Sequence, residues 1–84
     1  MNVHHEISKK VNKTVAMLEG YKKLDQLREI EIDRVLEAGR KNEDISLEAV
    51  NKVTFELNQY AKFNHLPPRK IVTKEMISEF LNQN

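Results

Sequence analysis

Positions with apolar side chains recur along the first forty residues in a single helical phase. At about 100° per residue, Val3, Ile7, Val11, Met17, Leu18, Tyr21, Leu24, Ile32, Val35 and Leu36, with Thr14 among them, share about half of one helix circumference. Only Leu27 and Ile30 stray clearly. The pattern predicts one helix, or two in nearly the same phase, from about Val3 to Lys41. Gly20 is where such a helix bends or breaks. A glycine inside a helix costs only about 1 kcal/mol relative to alanine. Tyr21-Lys22-Lys23-Leu24 offers no capping side chain before Asp25, and a restart at Asp25 would strip Tyr21 and Leu24 from the stripe. One long helix, bent at Gly20 at most, is the favoured reading, and four short helices are the alternative.

Beyond it, Gly39 and Asn42 are suitable stop residues, with Arg34, Arg40 and Lys41 placing positive charge at the carboxy-terminal dipole. Asn42-Glu43-Asp44-Ile45 reads as a connection. Ser46 then caps a helix from about Leu47 to Asn64, in which Leu47, Val50, Val53, Thr54, Leu57, Tyr60 and Ala61 share a face. Phe55 and Phe63 fall outside that face. Pro67 and Pro68 end this helix, Ile71-Val72 is a short extended piece, and Thr73 caps a last helix whose apolar side is Met76, Ile77, Phe80 and Leu81.

These elements make an all-α protein: a long amino-terminal helix and two shorter ones in a single domain, residues 1–84. Such a chain is near the size at which one core only just suffices. A first helix of about 57 Å is only partly covered by the other two, which leaves apolar surface for a second copy. Dimerisation would complete a larger bundle. Ile7, Val11, Leu18, Tyr21, Ile32 and Val35 are the expected core or dimer interface.

Composition narrows the chemistry. Fourteen Lys and Arg against thirteen Asp and Glu give a net charge of +1, and there is no cysteine. A general nucleic-acid coat or membrane-surface protein needs a larger positive excess. Thiolate metal sites, disulfides and cysteine nucleophiles are excluded. No apolar run approaches a membrane span of about 20 residues, and no secretory signal is visible at the amino terminus. A cytoplasmic protein is expected.

No residue pattern points to catalysis, a metal or a cofactor. His4 and His5 are adjacent, so on a helix they diverge by about 100° and cannot share a metal ion. His65 reads as a loop residue. Glu29, Glu31, Asp33 and Glu37 alternate with arginines as a solvated face does, with Glu37–Lys41 and Glu6–Lys10 at ion-pair spacing. Glu31, at the edge of the stripe, is placed to pair with an arginine at an interface. The segment from Leu57 to Lys74 has no acidic residue but carries Lys62, Arg69, Lys70 and Lys74 with Tyr60, Phe63 and His65 interleaved. It suits an acidic protein partner or nucleic-acid phosphate with a ring for stacking. The competing reading is a basic loop at a helix end with its aromatics packed inward. As a base-reading element the last helix is poorly equipped, since Glu75 and Glu79 would face phosphates.

The opening Asn2-Val3-His4-His5-Glu6-Ile7-Ser8, the charged Leu24-Asp25-Gln26-Leu27-Arg28-Glu29 and the closing Arg69-Lys70-Ile71-Val72-Thr73-Lys74-Glu75-Met76 resemble a group of short, uncharacterised proteins of Bacillus and its relatives. The resemblance spans nearly the full chain. It implies a cytoplasmic protein of a spore-forming bacterium and brings no catalytic residue. The expected function is binding, chiefly to itself, as a small non-catalytic interaction protein. The alternative is a nucleic-acid-binding accessory protein using the basic segment 62–74.

Overall fold

The computed structural model describes the backbone of residues 2–83 and the side chains of residues 12–83. Three helices follow in order: α1 (Asn2–Arg40), α2 (Glu48–Phe63) and α3 (Lys74–Leu81), with no strand among the described residues. α1 is helical through Gly20. The reason lies 40 residues away. Tyr60 of α2 lays its hydroxyl against α1 and donates to the Met17 carbonyl at 2.7 Å. A Cβ at position 20 would collide with that hydroxyl oxygen. Gly20 is thus a site of close approach between helices, and no break occurs there.

α2 folds back antiparallel along α1. Tyr60 near its end meets Met17, Thr54 in its middle meets Arg28, and Val50 near its start packs with Val35 and Leu36. Val72 and Ile77 complete this core, and Ile32, Ile45, Leu47 and Leu81 surround it. Leu57 and Ala61 continue the buried seam along α2. The core therefore lies beside the second half of α1. The molecule measures 63 × 20 × 19 Å, because the first part of α1 runs on past the end of α2.

Both long helices end by one device. Asn42 and His65 each adopt φ 57°, the left-handed conformation. The following amides then reach back, Glu43 N–H to the Ala38 carbonyl at 2.9 Å and Leu66 N–H to the Ala61 carbonyl at 2.8 Å. Such a turn satisfies carbonyls that the helix leaves open. Asn42 rather than Gly39 is the stop residue of α1. Gly39 stays helical, and a Cβ there would stand 2.6 Å from Leu81 Cδ1.

At the starts, Thr73 caps α3 as its side-chain oxygen accepts from Met76 N–H at 3.2 Å. Ser46 does not cap α2. The capping position is Leu47, with no side-chain bond, and Ser46 Oγ accepts from Glu48 N–H at 3.4 Å. Leu47 packs against the core from that position, and the helix begins one residue later than the serine suggests.

Candidate functional site

The proline segment is built into the fold as a strap joined to both α1 and α2. On α2, Asn51 and Asn58 stand two turns apart and therefore on one side. Each carboxamide acts as a piece of backbone. Asn58 donates to the Arg69 carbonyl at 2.9 Å and accepts from Arg69 N–H at 2.7 Å. Asn51 does the same for Val72, at 3.0 and 2.8 Å. An extended segment without a sheet partner would otherwise leave those groups unpaired. Pro67 and Pro68 have no N–H to satisfy, so the strap needs few partners.

On α1 the holding residues are Tyr21, Asp25 and Arg28, at spacings of four and three on one helical side. The Tyr21 hydroxyl donates to the Pro67 carbonyl at 2.6 Å. Asp25 accepts two bonds from the Arg69 guanidinium, at 3.0 and 3.2 Å. The same guanidinium stands 5.6 Å from the centre of the Tyr21 ring. The hydrogen bond to Asp25, and then the carboxylate's charge, hold the Arg69 pKa above its ordinary value. Arg28 bridges all three layers: Nε donates to Thr54 Oγ1 at 3.0 Å and Nη2 to the Lys70 carbonyl at 2.7 Å. Thr54, fully buried, donates a hydrogen bond from its own hydroxyl to the Val50 carbonyl at 2.9 Å.

This network separates the residues of the basic segment. Arg69 is engaged within the fold, and its pairing with Asp25 is a long-range ion pair with both side chains partly covered. Lys62, Lys70 and Lys74 are exposed and make no ion pair among the described residues. Tyr60 turns inward to Met17, whereas Phe63 is 85% exposed. His65 occupies the left-handed turn position.

Among the stripe residues, Val35 is buried, Tyr21 and Ile32 are partly covered, and Leu18 is 47% exposed. The side chains of Ile7 and Val11 lie outside the described residues, as do those of His4, His5 and the Glu6–Lys10 pair. Glu31 pairs with Arg34 one turn along its own helix, at 2.9 Å; the arginine expected across an interface is an internal neighbour. Glu37 and Lys41 stand 3.6 Å apart.

Sequence reasoning missed Asn51, Asn58 and Arg28. The available signal was two asparagines seven apart on a helix that precedes an extended proline segment. It acquires meaning only once that segment is known to run alongside the helix.

The remaining feature is uncovered apolar surface. Val15 and Leu18, on either side of the Met17 carbonyl that Tyr60 binds, are nearly half exposed on α1. At the other end, Ile32 and Leu36 of α1 and Met76 and Phe80 of α3 line a groove of about 270 Å³. Met76 is 38% and Phe80 52% exposed. Among the described residues, no group of His, Asp and Glu side chains is arranged to hold a metal ion. No helix among them is long and apolar enough to cross a membrane. What these surfaces offer is burial of apolar area against another molecule.

The chain belongs to the family described as "Protein of unknown function (DUF2533)", whose model matches residues 1–83. It is similar to "Uncharacterized protein YpbS" of Bacillus subtilis (strain 168), with 31% identity over 81 residues, covering 96% of this chain and 95% of that protein. The resemblance to an uncharacterised Bacillus family is therefore correct. No solved structure matches the chain.

Proposed function

We propose that this DUF2533 protein is a small interaction protein without catalytic activity that associates with itself through α1. The observation that carries the reading is the length of α1 relative to its cover. Tyr21 and Leu24 are partly covered, yet Val15 and Leu18, earlier on the same helix, stand nearly half exposed. The apolar stripe continues in sequence to Val3, ahead of the residue that Tyr60 binds. A helix whose apolar stripe outruns its packing partner gains by burying it in another chain.

Light scattering over a hundredfold range of concentration tests this. The parent chain should be a dimer that dissociates on dilution. Leu18→Asp should shift it to monomer with its helix content kept, because Leu18 is 47% exposed and lies outside the buried core. A parent chain that is monomeric at every concentration overturns the reading.

The second reading assigns Lys62, Lys70 and Lys74, with the exposed ring of Phe63, to an acidic protein partner or to nucleic acid. Its support is that these three lysines are exposed and make no ion pair among the described residues. Replacing all three by glutamate and titrating DNA and RNA at low salt decides it. Salt-sensitive binding that the variant loses is the expected result for nucleic acid, and no binding by the parent chain ends the nucleic-acid reading.

A further inference from the structure

The groove between α1 and α3 has an apolar floor and acidic margins. Ile32, Leu36, Met76 and Phe80 line the floor. On α1, Glu29 lies one turn before Ile32, and Asp33 one turn before Leu36. On α3, Glu79 lies one turn after Met76, and Glu75 one turn before Glu79. All four carboxylates are exposed, and none is in an ion pair among the described residues. They outnumber the one cation in the groove wall, Arg28, whose hydrogen bonds go to the neutral Thr54 hydroxyl and Lys70 carbonyl. The shape and charge suit a basic amphipathic helix.

We infer that the occupant is the amino-terminal arm of α1 from a second copy of this chain. The arm has the required chemistry. Val3, Ile7, Val11 and Leu18 fall in one stripe at helical spacing, and residues 2–18 carry Lys9, Lys10 and Lys13 against the single carboxylate of Glu6. It also has the length. Residues 2–16 precede the Tyr60 contact at Met17 and span about 22 Å of helix, against about 12 Å for the eight residues of α3. It cannot reach its own groove. Ala16 and Ile32 belong to one continuous helix and are separated by about 24 Å of it, so only another chain's arm can enter. Two copies with antiparallel α1 helices exchange arms, and each closes the other's groove. The inference rests on the self-association reading and specifies which surfaces meet.

Mixing two variants of the full chain tests it. One has its arm disabled by Ile7→Glu with Lys10→Glu and Lys13→Glu; the other has its groove disabled by Met76→Glu with Phe80→Glu. Each alone should be monomeric by light scattering, with helix content retained by circular dichroism. Mixed, they should form a dimer weaker than the parent's, because one intact arm meets one intact groove. Failure of the mixture to associate, or dimerisation of either variant alone, overturns the arm-in-groove contact while a dimeric parent leaves self-association standing. A monomeric parent defeats both.

A charge-only variant guards against unfolding of the groove variant. Glu75→Lys with Glu79→Lys touches exposed positions and should weaken dimerisation by about tenfold or more at low salt, an effect that shrinks in high salt. Unchanged dimerisation at low salt counts against the inference as decisively as an unassociated mixture.

Discussion

Gly20→Ala should destabilise the protein, against the usual sign for a helix interior. At an unobstructed helical position, alanine for glycine stabilises by about 0.8–1.0 kcal/mol. At position 20 the new methyl would overlap Tyr60 Oη and stand 3.0 Å from Tyr60 Cζ. The tyrosine ring is rigid and partly covered, so relief means tilting it and giving up the 2.7 Å bond to the Met17 carbonyl. Losing that bond costs about 1 kcal/mol, and overpacking a filled site typically costs about 1–3 kcal/mol. After the propensity gain, the net loss is about 1–3 kcal/mol, or about 4–8 °C in Tm per kcal/mol for a domain of this size. Urea unfolding followed by circular dichroism measures it, at one protein concentration, since association makes stability concentration-dependent. Tyr60→Phe removes the colliding oxygen and supplies the control. In that background Gly20→Ala should be neutral or stabilising by up to about 1 kcal/mol, so the two substitutions are coupled. If Gly20→Ala stabilises the parent and Tyr60→Phe backgrounds equally, by about 1 kcal/mol, the close-approach explanation is wrong.

Other expectations follow from the strap and the helix ends. Gly39→Ala should be nearly neutral, because the atom in its way is the flexible tip of Leu81; urea unfolding that shows a loss as large as that of Gly20→Ala would contradict this. Asn58→Ala should cost about 2 kcal/mol, from two bonds of about 1 kcal/mol each. By hydrogen exchange it should speed the Arg69 amide far more than the Val72 amide, which Asn51 holds; equal acceleration of both would mean the strap has no separate fastenings. His65→Gly should stabilise by about 1 kcal/mol, since a left-handed residue with a Cβ carries a penalty of that order. A lower urea midpoint for that variant would show that the imidazole does more than tolerate the turn.

Much of the helical plan was readable because it depends on local periodicity. Leu27 and Ile30, which stray from the α1 stripe, are about half exposed, and Phe55 and Phe63, outside the α2 face, are 63% and 85% exposed. Thr73 caps its helix because capping is a contact within four residues. The candidate surface was read less fully. In sequence, Arg69 stands among other cations and looks available, but its partner Asp25 is 44 positions away and on another helix. Lys62, Lys70 and Lys74 have no such partner among the described residues, so a basic segment that looks uniform divides into one structural cation and three exposed ones.

The amino-acid sequence by itself determined that this chain is all-helical, where the two shorter helices lie, and which side of each helix is apolar. Those properties follow from spacing, capping and proline, and all act over a few residues. That the first helix runs unbroken through Gly20 needed the structure. Only the tertiary structure decided what Gly20 is for, why Asn51 and Asn58 sit seven apart, and where the apolar stripe loses its cover. Each of these depends on which distant segment comes to lie alongside. Periodicity specifies the face a helix offers, whereas the length and path of its neighbours determine how much of that face stays open.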